Sequence, residues 1–398
     1  MVSESVKILG DQEEPRDTYK FAYIIHFLLG AGNLLPWNAF ITAVDYFGFL
    51  YPTKHVEKVF SVAYMSCSVL VLFLMLIWGN WWGKLSCRSK LNLGFSMFVL
   101  SMMVAPIIGW VWWKGPGERA SGSYIVTVVA VAICGLADGL VGGSLMGSAG
   151  RLPKQYMQAV FAGTASSGVL VSLLRITTKA LLPQTPKGLQ ASAHLYFLVS
   201  SIILLTCIIS CNLLYKLPVM QHHCSLQQQD PMCSRPQIHA VARRIKWPAF
   251  GIFTIYVVTL SIFPGFLAED LESKILKDWY PILLITTYNI ADLVGKSLTA
   301  AYVIKSLKKA TWGCVARLIF YPIFTASLHG PKWLKTETPM MGLTFLLGLT
   351  NGYLTSVLMI LVPKSVPASE AEVSAVVMVV FLGLGLVGGS VLGWFWII

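Results

Sequence analysis

Residues 30–40 read Gly-Ala-Gly-Asn-Leu-Leu-Pro-Trp-Asn-Ala-Phe and lie inside an apolar run that spans residues 19–44. A helix needs about 20 mostly apolar residues to cross the hydrocarbon core of a bilayer, and this run is long enough. Pro36, near its middle, has no backbone N–H to donate, and its ring crowds the carbonyl oxygen of Gly32. The stretch therefore predicts a transmembrane helix with a bend, where polar backbone groups can line a cavity.

The side chains that follow the proline are suited to a planar, polar ligand. The indole of Trp37 offers a flat face, and the amide of Asn38 offers both a donor and an acceptor. The composition of the stretch leaves a second interpretation open. In that one the helix is kinked for packing alone, and Asn33 and Asn38 form hydrogen bonds to neighbouring helices.

The composition of the whole chain is that of an integral membrane protein. Of its 398 residues, 56% are hydrophobic and only 12% are charged, against about 25% charged in an average soluble domain. So few charges cannot cover a water-facing surface, which excludes a soluble enzyme, a nucleic-acid-binding module and a disordered scaffold as descriptions of the whole chain. We attribute the net charge of +12 to basic residues in cytoplasmic loops, so the lipid bilayer is an expected partner and nucleic acid is not.

The same length criterion divides the chain into eleven predicted spans, so we expect an all-α polytopic membrane protein. A polar segment at 216–245 separates six spans from five and is expected to be a cytosolic linker. The predicted organisation is a cytosolic tail at 1–18, a six-helix half at 19–215, the linker, and a five-helix half at 246–398. The predicted spans are 19–44, 57–79, 91–113, 123–147, 157–180, 192–215, 246–267, 280–304, 311–328, 340–362 and 373–397.

The connecting segments differ in their content of basic residues. Lys and Arg are denser in every second segment, starting from the N-terminal tail. Because cytoplasmic loops carry the excess of basic residues, the pattern favours a cytosolic N-terminus and, with an odd number of spans, an extracytosolic C-terminus. We expect the plasma membrane as the location, with a vacuolar or lysosomal membrane as the alternative.

Charged residues within the eighth predicted span point to a polar interior. A charge at the bilayer centre costs about 2.5–3.5 kcal/mol on insertion scales, so its presence needs a reason. Asp292 and Lys296 are four residues apart and therefore lie on one helix face. Together they present an acceptor and a donor, which suits a hydroxylated neutral ligand. The alternative is an ion pair with a purely structural role.

Asp138 lies in the glycine-rich stretch 135–147 of the fourth predicted span. A carboxyl group removed from water is harder to ionise, which makes Asp138 the candidate for coupling transport to protons. The alternative is a carboxylate that is permanently paired with a basic residue such as Arg175 or Lys179.

Three later spans add polar or helix-breaking residues. Arg317 in the ninth span is either buried or extends its charged end to the cytosolic interface. Asn351 and Tyr353 add polar groups to the tenth span. Pro264 lies in the first span of the second half, as Pro36 lies in the first span of the first half. Helices broken at corresponding places in two halves indicate a transport site between them.

Motifs of catalysis and metal binding are missing from the sequence. It contains no His-Glu-x-x-His, Gly-x-Ser-x-Gly or Gly-x-x-x-x-Gly-Lys-Ser/Thr pattern. The His and Cys residues of the predicted linker fit no standard zinc spacing. We therefore expect no catalytic residues, no metal site and no cofactor. A membrane-embedded enzyme remains the alternative from another functional class, and it would need a water-accessible catalytic pair.

The residues discussed so far resemble those of the equilibrative nucleoside transporter family. The most specific element is Leu34-Leu-Pro-Trp-Asn38, and the resemblance covers nearly the whole chain. The other matching elements are Phe40, Ala43, Tyr46-Phe47, Gly143-Ser-Leu-Met-Gly147, Pro153, Ser166-Ser-Gly-Val169, Arg175, Phe263-Pro264, Asn289, Asp292, Gly295, Arg317, Phe320, Pro322, Phe324 and Gly352-Tyr353.

The resemblance implies a major-facilitator-like fold of six plus five helices that works by alternating access. It places Trp37 near the bound nucleoside and Asp292 near the ribose hydroxyls. The candidate substrate-binding residues are Trp37, Asn38, Asn289, Asp292 and Lys296, and the candidate structural or gating residues are Pro36, Arg175, Arg317 and Tyr353.

Two positions depart from the family pattern. Lys296 stands where the family often has Arg, and a lysine lacks the planar bidentate fork of arginine. Gly142 stands where well-known members carry a Gln that contacts the nucleobase. The expected substrates are purine or pyrimidine nucleosides such as adenosine and uridine, and Asp138 leaves proton coupling open. A carrier of organic cations or monoamines is the alternative within transport.

Overall fold

The computed structural model describes residue 17 and residues 20–52, 54, 56–78, 85–111, 119–222, 238–263, 273, 275–329 and 336–393. Most of the predicted tail, the centre of the predicted linker and Pro264 lie outside these residues. The α-helices are α1 (Phe21–Thr42), α2 (Val44–Leu50), α3 (Val56–Ile77), α4 (Cys87–Val111), α5 (Arg119–Arg151), α6 (Lys154–Leu181), α7 (Pro186–Leu214), α8 (Ile238–Arg244), α9 (Lys246–Ile262), α10 (Tyr280–Ala301), α11 (Leu307–Ala316), α12 (Phe320–His329), α13 (Glu337–Leu361) and α14 (Ala371–Leu392).

In the part of the chain that the structure describes, 8 helices are long and apolar enough to cross a membrane, or up to 9 if α8 and α9, which are bent by 74°, form one span. The protein is therefore a multi-pass membrane protein. The predicted eighth span is the continuous helix α10, which carries two charged residues. The predicted ninth span is divided into α11, a 3-10 turn at Arg317–Ile319, and α12. The count of eleven stays a prediction.

The outer surface of α7 shows how these helices meet lipid. On the opposite face of the helix, Phe197 and Leu204 are fully buried. The outer face carries large apolar side chains at spacings of three and four residues, which places them in one stripe. Since nothing in hydrocarbon can satisfy polar groups, such a stripe suits a lipid contact. The exposed residues of the stripe are Leu198, Ile202, Leu205 and Ile209.

Glycines let helix pairs approach closely in both parts of the chain. A methyl group at Gly30 of α1 would overlap the carbonyl oxygen of Val160 on α6, and one at Gly163 of α6 would overlap that of Phe27. The same relation recurs between α10 and α13, where Gly352 lies against the backbone of Asp292. Close backbone contact through small residues is the usual way in which membrane helices pack.

The helices surround one central space. In the earlier part of the chain α1 packs on α6 and α7, and α5 packs on α3 and α4. In the later part α10 packs on α13, and α9 packs on α14. The two groups then meet where α6 contacts α10 and where α14 contacts α3 and α5. The space between the groups is where the polar side chains of the spans converge.

Candidate binding cavity

A cavity of about 190 Å³ lies between the two groups of helices. Its wall receives side chains from α1, α3, α5 and α6 on one side and from α9, α10, α13 and α14 on the other. All five candidate substrate-binding residues and the candidate proton-coupling residue lie at this wall, although they are far apart in the chain. They are Trp37, Asn38, Asp138, Asn289, Asp292 and Lys296.

Asp292 and Lys296 form a buried ion pair at the wall. Their exposed fractions are 7% and 4%, and the Lys296 Nζ lies 2.8 Å from the Asp292 Oδ2. The ammonium group also donates to the Thr164 Oγ1 on α6 at 3.4 Å. The pair is thus neutral overall and connects the two groups of helices. The two residues form an ion pair and also line the cavity. The structural ion pair and the ligand-binding pair that the sequence offered as alternatives therefore do not exclude each other.

The side-chain amide of Asn351 bonds to the acidic member of the pair. Its Nδ2 donates to the Asp292 Oδ1 at 2.7 Å, and its Oδ1 accepts from the Thr259 Oγ1 at 2.9 Å. Asn351 is 3% exposed. Because both ends of the amide are occupied, the Asp292 carboxylate is held in one orientation.

Arg317 completes this network and does not extend to the membrane surface. It is 2% exposed, and its guanidinium donates to the Thr259 Oγ1 at 3.0 Å and to the Asn351 Oδ1 at 3.5 Å. It also donates to the carbonyl oxygens of Ile255 and Leu347, both at 3.0 Å. The alternative in which Arg317 reaches the cytosolic interface is therefore wrong. The 3-10 turn that begins at Arg317 interrupts the ninth span and places the guanidinium inside the bundle.

Asp138 is held by a hydroxyl group rather than by a cation. The Ser68 Oγ donates to its Oδ2 at 2.6 Å, and no Lys or Arg among the described residues forms an ion pair with it. The alternative of a permanent pair with Arg175 or Lys179 is wrong. Arg175 pairs with the Asp45 Oδ2 at 2.8 Å, and the Lys179 Nζ donates to the carbonyl oxygen of Asp278 at 2.6 Å.

Trp37 lies at the wall within a continuous helix. Pro36 is buried inside α1, which runs on as one helix to Thr42. Trp37 is 8% exposed, and its ring centroid lies 4.8 Å from that of Tyr64 at an interplanar angle of 43°. The tyrosine therefore supports the indole, which keeps a fixed surface toward the cavity.

Asn38 and Asn289 both anchor their helices to α6. The Asn38 Nδ2 donates to the Ser167 Oγ at 2.9 Å, and the Asn289 Nδ2 donates to the Ser172 Oγ at 2.8 Å. The amides thus link helices, as the packing interpretation of Asn38 expects, while both residues line the cavity.

Arg175 and Tyr353 do not line the cavity. Besides its ion pair, Arg175 donates to the carbonyl oxygen of Thr42 at 3.4 Å, which ties α6 to the end of α1. The Tyr353 hydroxyl donates to the carbonyl oxygen of Tyr302 at 3.3 Å. Each contact reaches the C-terminal end of another helix, that of α1 for Arg175 and that of α10 for Tyr353.

Several wall residues were not among the candidates from sequence. Phe263 and Tyr288 stack with ring centroids 4.0 Å apart and an interplanar angle of 17°, and Tyr256 lies nearby on α9. An aromatic residue in an apolar helix gives the same sequence pattern whether it faces lipid or a cavity, so the sequence does not distinguish the two positions. Asn33 and Asn351 also line the cavity. The only feature of the sequence that pointed to them was a polar side chain inside an apolar span.

Comparison with known proteins identifies the family of the chain. The sequence model of the nucleoside transporter family matches residues 128–240 and 227–398. This chain belongs to that family. Equilibrative nucleotide transporter 8 of Arabidopsis thaliana is 65% identical over 398 residues, 100% of both chains. Equilibrative nucleotide transporter 1 of the same plant is 48% identical over 400 residues, 97% of this chain and 88% of that one. The family that the sequence motifs predicted is confirmed.

Solved structures of similar fold include membrane transporters, one of which is described as a member of the major facilitator superfamily. The E. coli fucose:proton symporter aligns with a TM-score of 0.60 over 95% of both chains. A proton:xylose symporter of the major facilitator superfamily aligns with a TM-score of 0.63 over 94% of this chain and 86% of that one. At 12% identity each, these likenesses show the fold alone. The protein is thus a transporter for nucleosides or nucleotides with an all-helical, major-facilitator-like fold.

Proposed function

We propose that the protein moves uncharged purine and pyrimidine nucleosides, such as adenosine and uridine, across a membrane by alternating access. The observation that carries the proposal is one cavity with Trp37 and the Asp292–Lys296 pair at its wall. A nucleoside has a planar base and a hydroxylated sugar. The indole can stack on the base, and the charged pair can donate to and accept from the ribose hydroxyls.

The charges at the wall favour a nucleoside over a nucleotide. The ionisable carboxyl and amino groups that line the cavity are those of Asp138, Asp292 and Lys296. Lys296 neutralises Asp292, which leaves the carboxylate of Asp138 without a compensating cation among the described residues. A phosphate group would meet this negative charge at low dielectric, where the repulsion is strong. With Asp138 protonated, the phosphate would still lack a free cation at the wall, because Lys296 is paired with Asp292. We therefore assign the neutral compound as substrate.

Alternating access fits the contacts that join the two groups of helices. We propose eleven spans arranged as six plus five, with residues 19–215 and 246–398 as the halves. Arg151 at the end of α5 pairs with Glu372 of α14, and Lys179 near the end of α6 contacts Asp278 and the ring of Trp279. Since α5 and α6 are consecutive spans, these contacts lie at opposite membrane faces. Rocking of the halves can break one contact while the other persists.

Coupling of transport to protons and the membrane in which the protein lies are further parts of the proposed function. Asp138 lies at the wall, where the Ser68 hydroxyl donates to it and no described Lys or Arg forms an ion pair with it. A proton bound there during transport would remove the uncompensated charge. We propose Asp138 as the proton site, a cytosolic N-terminus, and the plasma membrane as the site of transport.

The test is uptake of radiolabelled adenosine and uridine into proteoliposomes that contain the full chain. Asp292→Ala should abolish uptake of both, because the ribose loses its acceptor and Lys296 is left unpaired. The matched control is Glu370→Ala, which removes a carboxylate from the surface pair with Arg244. That variant should transport normally, since surface pairs contribute little to stability. Equal uptake by Asp292→Ala and the parent would refute the proposed site.

A carrier of organic cations is the second candidate function. The observation in its favour is the carboxylate of Asp138, which no described cation neutralises. A competition assay of uptake separates the two functions. For a nucleoside transporter, unlabelled adenosine should block the uptake of labelled uridine. Uptake of an organic amine that nucleosides do not inhibit, without uptake of uridine, would favour the second function.

A further inference from the structure

Asn33 is a buried polar residue at the cavity whose hydrogen bonds are incomplete. It lies on α1 and is 8% exposed. It lines the cavity, yet its Oδ1 accepts no hydrogen bond from any described residue. Leaving a buried acceptor unpaired is costly. A donor that enters the cavity is the natural partner for this oxygen.

Gly142 and Asp138 complete a polar corner with Asn33. A methyl group built at Gly142 would lie 3.6 Å from the Asn33 Nδ2 and 3.7 Å from its Oδ1, so the amide packs directly over this glycine. Asp138 is one helical turn before Gly142 and therefore on the same face of α5. Both residues line the cavity. We call Asn33, Asp138 and Gly142 the polar corner.

The polar corner lies next to Trp37, the side chain proposed to stack on the base. Trp37 is one turn after Asn33 on α1 and thus on the same face. Ser68 occupies one oxygen of Asp138 at 2.6 Å. Tyr64 and Cys134 are the other polar or titratable side chains that interact with this carboxylate. On the far side of the cavity, the Asp292–Lys296 pair remains available to the sugar.

We propose that Asn33 reads the base edge of the transported nucleoside and, with Asp138, selects bases that carry an N–H donor on that edge. The inference rests on the proposed nucleoside function and deepens it. The Asn33 Oδ1 is an unpaired acceptor in this corner. Asp138 adds an acceptor oxygen whether or not it carries the proton proposed above, because a protonated carboxyl group keeps its carbonyl oxygen. The amino group of adenosine can donate to these acceptors. Purine riboside, which lacks that amino group, has only acceptors on its ring edge and would leave them unpaired.

The experiment compares uptake of adenosine and purine riboside into proteoliposomes. A site built to bind a polar group rejects the analogue that lacks it. We expect the parent to prefer adenosine by about tenfold, the scale of one well-made set of base contacts. Asn33→Leu should bring the ratio close to one, because it removes the acceptor while filling a similar volume. Asn33→Asp keeps the acceptor and should retain the preference.

Asn92→Leu is the matched control, because Asn92 bonds to Asn212 between α4 and α7 and does not line the cavity. This variant should keep the preference of the parent. Equal uptake of adenosine and purine riboside by the parent, or a preference that persists in Asn33→Leu, would overturn the inference. If neither labelled nucleoside enters vesicles that contain the parent, the proposed function itself fails.

Discussion

The carboxylate of Asp292 and the guanidinium of Arg317 bind opposite ends of one side-chain amide, that of Asn351. Asn351 donates to Asp292 at 2.7 Å and accepts from Arg317 at 3.5 Å. The wall of the cavity is thereby connected to the interruption of the ninth span, where Arg317 begins a 3-10 turn. An amide can serve both partners because it offers a donor at one end and an acceptor at the other.

Replacement of Asn351 should weaken this connection. Asn351→Leu keeps the size of the side chain but removes the donor to the Asp292 Oδ1 and the acceptor shared by Thr259 and Arg317. A buried group left without its partner costs about 1–3 kcal/mol, so we expect a clear fall in the thermal unfolding temperature of the purified protein. Thr350→Val is the control, because the Thr350 hydroxyl bonds only to carbonyl oxygens of its own helix. An unfolding temperature equal to that of the parent in Asn351→Leu would contradict the network.

The ion pair can be tested for a structural role and a functional role separately. Lys296→Met leaves Asp292 as an uncompensated buried charge, which should destabilise the protein by about 3–5 kcal/mol. The double variant Asp292→Asn with Lys296→Met removes both charges and should recover most of that loss. Nucleoside uptake should stay low in both variants, because neither retains the charged pair at the cavity wall. Full uptake by the double variant would show that the pair serves stability alone.

Proton coupling predicts a specific pH response. If a proton on Asp138 accompanies the nucleoside, uptake by the parent rises as the external pH falls, since more carriers are protonated at low pH. Asp138→Asn should abolish that response, because an amide does not titrate in this range. Uptake across a series of pH values measures it, with Asp45→Asn as the control, since Asp45 lies outside the cavity. If uptake by the parent does not change with pH, the hypothesis of proton coupling is wrong.

Close helix packing predicts an unequal effect of two glycine substitutions on α13. A methyl group at Gly348 would lie 2.5 Å from the carbonyl oxygen of Tyr288 on α10, so Gly348→Ala must push the helices apart. We expect a loss of about 1–3 kcal/mol, the usual cost of overpacking. Gly342→Ala meets no atom within 4 Å and should be neutral or stabilising by up to about 1 kcal/mol through helix propensity. Thermal unfolding of the two variants compares them directly, and equal unfolding temperatures would contradict the packing.

The sequence predicts the family and the helical fold because both depend on local patterns. Apolar runs of sufficient length indicate spans, and Leu34-Leu-Pro-Trp-Asn38 is specific enough to indicate the family. It also predicts that Asp292 and Lys296 can pair, since four residues in a helix bring them together. These features need no knowledge of which helices are neighbours.

The partners of the other polar residues depend on tertiary contacts. Ser68 bonds to Asp138 across a separation of 70 residues, and spacing along the chain does not reveal it. Arg317 is buried because the ninth span is interrupted there, whereas an unbroken helix would allow it to reach the interface. Asn33 and Asn351 show the same limit, since an asparagine in an apolar helix has the same local pattern whether it faces a cavity or another helix.

The most direct test of the central claim is an experimental structure of the protein with adenosine bound. The account predicts the ligand in the cavity between the two groups of helices, with the base against Trp37 and a ribose hydroxyl within hydrogen-bond distance of Asp292 or Lys296. Adenosine bound elsewhere, or in this cavity with its ribose away from both charged groups, would contradict it.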